Sequence, residues 1–309
     1  MEEENVIVPT NIAYSSCMLQ NNIEQLKKKY NFLVIGNIGY SVLGKPIPYI
    51  KMGNGEKEVM YSGTIHANEL INSVVLMKFV EDFSKAYKNN DEIYGYNARE
   101  IFNKTSIYIV PMVNPDGVDL VTGVIPENTG VYNNYKDISL NFPSIPFPSG
   151  WKANFNGVDL NLQFPAGWIN AKKIKFAQGY TRPAPRDFVG LGPLTEPEAL
   201  ALYNFTLVHN FRLILAYHSQ GEVIYWKYAD FLPEDSEEIG KKFAETSGYT
   251  LDLTPPESAY AGYKDWFIQE YNRPGYTIET GLGVNPLPIS QFDKIYNDNI
   301  GILVLGAIL

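Results

Sequence analysis

The stretch EVMYSGTIHANELINSVVLMKFVEDFSKAY, residues 58–87, decides the fold. Its opening, EVMYSGTI (58–65), has the composition of a strand, and it leads without a break into a helical pattern beginning at Asn68. There Leu70, Val74, Met77 and Val80 recur at helical spacing and form one apolar stripe. A strand feeding directly into a helix is the repeating unit of an α/β protein.

Outward from this unit the pattern continues. Residues 22–30 read as a short amphipathic helix, and VIGNIG (34–39) and IPYIKMG (47–53) as strands set between glycines. SIYIVPMV (106–113) is a continuous apolar run, the mark of a strand buried on both faces. The segment 114–193 is rich in Gly, Pro, Asn and aromatics with little periodicity, so it reads as a long functional loop region. A helix near 196–210 opened by TEPE, a strand RLILAY (212–217), a helix near 236–247, a strand YTIET (276–280) and a last helix from about Ser290 complete the chain. The expectation is a single α/β domain over 1–309, an α/β/α sandwich with a mixed, mostly parallel central sheet.

Composition narrows the function. With 309 residues and 45% hydrophobic content, the chain can bury a large core. Its 25 basic residues against 34 acidic ones give a net charge of −9, which argues against nucleic acid as a partner. No run of about 18 apolar residues exists, so no membrane insertion is expected. The acidic start MEEENVIVPTN does not resemble a secretory signal, and the single cysteine, Cys17, suits a reducing compartment. A cytoplasmic location is therefore expected, with Cys17 half-buried. Nothing in the chain marks an obligate protein partner.

The chemistry begins with three histidines. His66 follows the strand 58–65, and Glu69 comes three residues later, where the helix begins, so both side chains can reach one ion. His218 closes RLILAY and is followed by the polar turn Ser219-Gln220-Gly221. Parallel strands gather their carboxyl ends at one edge, where α/β proteins build sites. Two imidazoles and one carboxylate would leave a fourth zinc position open, the catalytic arrangement. His209 reads as a structural residue at a helix end, and Glu222 as a rim or structural acid too far from His218 to share a metal.

HANE (66–69), NPDG (114–117), GVDLN (157–161), His218 with Ser219, and TIE (277–279) stand in the order found in zinc carboxypeptidases, and the chain resembles that family from about residue 30 onward. GKPIPYIKMG, KFAQGYTRPAPRDFVG, AYHSQGEVIYW, YAGYKDWFIQEYNRPGYTIE and NPLPISQF are similar to its bacterial γ-D-glutamyl-diamino acid endopeptidase branch, whose members act on cell-wall peptides. The resemblance implies one Zn2+ per chain held by His66, Glu69 and His218. It also implies Glu279 as the base that takes a proton from the attacking water and returns it to the leaving amine. Lys152 matches the family's oxyanion-stabilising arginine, giving a point charge without the guanidinium fork. Asn114 and Asp116 read as turn-shaping residues. IVPTN resembles the tail that joins a LysM wall-binding repeat to such a domain, so residues 1–20 are expected to be a linker remnant. The branch also allows cell-wall or spore association.

Two departures bear on specificity. Where the family reads DLNRN, this chain reads DLNLQ: Asn161 is kept, but Leu162 replaces the arginine that clamps the substrate carboxylate. Of the five arginines, Arg182 and Arg186 in YTRPAPRDF are the expected substitutes. The mobile-loop tyrosine has no clean match, and Tyr260 is preferred to Tyr263. The expected substrate-binding set is therefore Asn161, Leu162, Arg182, Arg186, Ser219 and Tyr260, acting on a peptide or muropeptide. The expected reaction is hydrolysis of the γ-D-glutamyl-meso-diaminopimelate bond through a zinc-activated water. The alternatives are a C-terminal carboxypeptidase, an amide deacylase of other specificity, and a non-catalytic muropeptide-binding module.

Overall fold

A computed structural model describes residues 6–309. From the amino end come α1 (Ser16–Lys29), β1 (Val34–Tyr40), β2 (Pro46–Met52), β3 (Lys57–Gly63) and α2 (Ile71–Asn89). A small hairpin, β4 (Glu92–Ile93) and β5 (Tyr96–Asn97), leads to α3 (Ala98–Lys104) and β6 (Thr105–Val110). Next are α4 (Pro115–Val121), α5 (Gly130–Ser139), α6 (Trp168–Ala177), α7 (Pro197–Leu207), β7 (Phe211–His218) and β8 (Val223–Tyr225). The chain closes with α8 (Ser236–Ser247), β9 (Thr250–Asp252), α9 (Tyr263–Tyr271), β10 (Gly275–Glu279) and α10 (Phe292–Ile308).

Eight strands form one sheet in the order β1-β2-β6-β3-β7-β10-β8-β9. The central run β6, β3, β7 and β10 is parallel, while β1, β2 and β8 each join by antiparallel pairing. This is the expected mixed, mostly parallel sheet. Strand residues alternate between two cores. Val59 and Tyr61 of β3 enter a core shared with α1, α2, α8 and α10, whereas Met60 faces a second core built with α7 and α9. Each fully buried aliphatic or aromatic side chain contributes about 1.5–3 kcal/mol, so α2 alone, with Val74, Leu76, Met77, Phe79, Val80 and Phe83 all buried, is a main source of stability. Its burial is wider than one stripe because α3 and α10 pack against it in addition to the sheet. β10 is the last strand in sequence, yet it lies between β7 and β8 inside the sheet.

Several local expectations change. The segment 114–193 carries three helices, α4, α5 and α6, rather than loop alone. α1 starts at Ser16, six residues before the expected 22, because Ser15 caps it by accepting from Met18 N. Cys17 is exposed on that helix rather than half-buried. Of the stretch expected to be a linker remnant, residues 1–5 lie outside the described residues. The following part packs on the domain: Val8 and Tyr14 are fully buried, and Ile7 N donates to Glu81 Oε1 at 2.7 Å. Among the described residues no helix is long and apolar enough to cross a membrane.

Candidate active site

Three parallel strands deliver the site. β3 pairs with β7 so that Gly63 lies opposite Tyr217, and β7 pairs with β10 so that His218 lies opposite Glu279. Their carboxyl ends therefore finish at one level. β3 ends at Gly63 and α2 begins at Ile71, so His66 and Glu69 stand on the turn between them rather than on the elements themselves. Glu69 N donates to His66 O at 3.2 Å, and Ala67 N donates to Lys152 O at 3.1 Å, fixing that turn. Asn114 clamps it from below: its Nδ2 donates to Ile65 O, Lys152 O and Ala153 O, and its Oδ1 caps α4 by accepting from Gly117 N. Gly117 must be glycine here, since a Cβ would sit 2.6 Å from Ala67 Cβ and 2.8 Å from Ala153 O.

On this frame the nitrogen and oxygen donors converge. His66 Nδ1 is 2.9 Å from Glu69 Oε1, His218 Nδ1 is 3.1 Å from Glu69 Oε2, and the two Nδ1 atoms are 3.2 Å apart. His66 Nε2 meets Asp159 Oδ1 at 3.0 Å, so the neutral imidazole that a metal requires would donate Nε2–H outward and present the Nδ1 lone pair inward. Asp159 is held in turn by Asn161 N and Asp187 N. Two imidazole nitrogens and a carboxylate, all buried, are the donor set of a zinc site with a position left over.

The charges explain how a nearly inaccessible carboxylate survives at Glu69. Burial alone would neutralise it, but Lys152 and the two histidines hold its carboxyl well below the usual range. Lys152 Nζ pairs with Glu69 Oε1 at 2.8 Å. Burial opposes a charge on His66, yet the Glu69 and Asp159 carboxylates on either side prevail and push its pKa up to about 9. Glu279 differs in sign. Burial raises its carboxyl, and Glu69 adds to that rise against the pull of His218 and Lys152.

A cavity of about 190 Å3 opens over these groups. Of the residues expected from sequence, His66, Lys152, Asn161, Leu162, Arg186, His218 and Glu279 line it. Leu162 is buried against Trp168, Ala171, Val189 and Ala261, so it closes a wall and offers no polar group. Arg186 binds Asp187 through Nε at 2.6 Å, leaving both Nη groups free. Arg182 is exposed and lies outside the lining. Ser219 also stays outside, its hydroxyl donating to Asn285 and its N–H to Glu69 Oε2. Tyr260 packs against Tyr228 and over Gly167, away from the lining. His209 lies at the far end of β3, bonded to Glu58. Glu222 pairs with Lys294. The cavity also takes in Asp159, Lys175, Asp187, Thr254, Lys264 and Asp265, none of which was anticipated as a site residue. The GVDLN block contains Asp159, and its place two residues before Asn161 was the available signal.

A buried donor set at the carboxyl edge of a parallel sheet, with a carboxylate on the neighbouring strand, defines a metal-dependent hydrolase. More particularly, the chain belongs to the zinc carboxypeptidase family, whose profile matches residues 19–301. It is 46% identical over 298 residues to gamma-D-glutamyl-L-diamino acid endopeptidase 1 of Lysinibacillus sphaericus, across 96% of this chain and 72% of that one. It is 39% identical over 292 residues to the uncharacterized protein YqgT of Bacillus subtilis (strain 168), across 94% of this chain and 76% of that one. Among solved structures, thrombin activatable fibrinolysis inhibitor has the same fold, with a TM-score of 0.74 at 19% identity over 99% of this chain and 77% of that one.

Proposed function

We propose that this zinc metallopeptidase hydrolyses the amide between the γ-carboxyl of D-glutamate and the amino group of a diamino acid in cell-wall peptides. The observation that carries the chemistry is the β7–β10 register, which sets Glu279 beside His218 at the cavity floor. The substrate class is supported by the likeness to the Lysinibacillus sphaericus enzyme along nearly the whole chain.

His66 Nδ1, Glu69 and His218 Nδ1 would hold the metal. A bound zinc supplies Lewis-acid polarisation of the carbonyl and lowers the pKa of water toward 7. Glu279 accepts the proton from the attacking water as the new C–O bond forms at the carbonyl carbon. It then gives that proton to the departing nitrogen as the C–N bond breaks. A carboxyl lifted by burial is suited to holding a proton in transit. Lys152, kept cationic by Glu69 despite burial, faces the cavity and stabilises the developing oxyanion. The free Nη groups of Arg186, with Asn161, anchor the α-carboxylate of the leaving residue in place of the arginine that Leu162 displaces.

Digestion of L-Ala-γ-D-Glu-meso-diaminopimelate with the zinc-loaded protein tests the reading. Release of free diaminopimelate is expected, with little trimming of ordinary peptides ending in Phe or Lys. Efficient trimming of those peptides with the tripeptide left uncut would establish a plain carboxypeptidase instead.

A further inference from the structure

We propose that Asp187, locked in place by the buried Lys175, is a positioning residue that steadies both the metal site and the substrate anchor. Its backbone amide holds Asp159 against His66, and its carboxylate holds the Arg186 guanidinium at the cavity. This inference rests on the ligand assignment above and adds a control on it from outside the ligand set.

Asp159 meets His66 through Oδ1, which also accepts from Asn161 N at 3.1 Å. Its other oxygen, Oδ2, accepts from Asp187 N at 3.1 Å, and Asp159 N donates to Phe188 O at 2.8 Å. With Oδ2 released, the carboxylate would turn about its terminal torsion, whose wells are broad. The tilt of His66 would follow, because a ligand imidazole is oriented by the partner of its second nitrogen. Two residues before Asp187, Pro185 O accepts from Lys152 N at 2.8 Å and from Ala153 N at 2.9 Å. Residues 185–188 thus brace both Asp159 and the backbone that carries Lys152.

What fixes the brace is Asp187 itself. Its φ of 64° lies in the left-handed region, uncommon outside glycine, although Asp is among the residues that tolerate it. Such a backbone persists where its surroundings over-determine it. Here Oδ1 accepts from Lys175 Nζ and Oδ2 from Arg186 Nε, both at 2.6 Å. Lys175, in the last turn of α6, is 6% exposed, a rare place for a lysine, and Asp187 supplies its counter-charge. A buried pair of this kind is a fixed post, since parting it strands a charge away from water. Three bonded contacts, Lys175 to Asp187, Asp187 to Asp159 and Asp159 to His66, therefore run from α6 to the metal ligand.

The test measures zinc Kd by chelator competition, and the visible spectrum of the cobalt-substituted protein, for wild type, Asp187→Ala, Asp187→Asn and Lys175→Met. Asp187→Ala should weaken zinc about 10-fold, the low end of what outer partners of a ligand histidine contribute, and should shift the cobalt bands. Asp187→Asn should restore most of that loss, because asparagine tolerates the left-handed backbone and keeps an oxygen for Lys175. Lys175→Met should reproduce the Asp187→Ala loss, and combining the two should add nothing further, as expected of residues acting through one contact. At saturating zinc, KM for L-Ala-γ-D-Glu-meso-diaminopimelate should rise in Asp187→Ala more than kcat falls, since Arg186 loses its hold. If a single variant does not fold, the combined one, which parts no charge pair between Lys175 and Asp187, decides by the same readouts. A lower urea midpoint with zinc Kd, cobalt spectrum and KM all at wild-type values would make Asp187 merely structural and overturn the inference, leaving the ligand assignment standing. Undiminished zinc in His218→Ala overturns both.

Discussion

At the scale of single residues, Glu69 governs the site, because both histidines and Lys152 are oriented on its two oxygens. His218→Ala should therefore lose stoichiometric zinc, whereas His209→Ala, at the opposite end of β3, should keep one zinc per chain. Elemental analysis of the purified proteins checks this, and equal zinc in wild type and His218→Ala would sink the ligand assignment. Glu279→Gln preserves shape and should retain the metal, but the amide cannot accept a proton at neutral pH. A drop of about 10²–10⁴ in turnover is expected, and turnover within a few-fold of wild type would place the base elsewhere. The candidate ligands were legible in the sequence because histidine is rare here and two of the three end or follow strands. Arg182, Ser219 and Tyr260 show the limit: spacing locates a loop residue in the chain but does not say where its side chain points. Lys264 and Asp265 were hidden for a related reason, since adjacent opposite charges in a helical stretch look like a solvated face.

Among the elements, α7 carries the clearest pH sensitivity. Glu198 in its first turn is fully buried, accepts from Val42 N at 3.0 Å and from Asn154 Nδ2 at 3.1 Å, and has Asp116 nearby. Burial, with Asp116 adding to it, pushes its pKa up to about 7. A raised folded-state value means the stabilising contribution is full below the unfolded value near 4.5 and is lost as pH rises through about 7. The difference corresponds to about 3 kcal/mol across that window. Urea unfolding at pH 5 and pH 8 should show wild type losing more stability than Glu198→Gln, and identical losses would remove Glu198 as the cause. The start of this helix was readable from TEPE. α4, α5 and α6 were not, because helices of seven to ten residues are too short for their periodicity to emerge among prolines and glycines. Their caps, Asn114 before α4 and Thr129 before α5, were the better signal.

For the molecule as a whole, the metal should act as a stabiliser. It would join the β3–α2 turn to the end of β7, two segments far apart in sequence, and a ligand present at about 1,000 times its Kd adds about 4 kcal/mol to the native state. Chelation should lower the Tm by several degrees in wild type and leave His218→Ala unmoved, as followed by calorimetry. A wild-type Tm indifferent to chelator would mean that the three ligands do not share an ion. The sandwich was legible at this scale because long buried strands and helices announce themselves by period. The seating of β10 was not, since nothing local says that a strand arriving last will be threaded between two earlier ones. That seating bears on how the protein is made. A ribosome makes His66, Glu69 and His218 before Glu279, and β8 must wait for β10 before it has its place beside the core. A nascent chain that reaches only β8 would carry the three proposed metal ligands and still lack the proposed base, so hydrolytic power is expected only once β10 has been made.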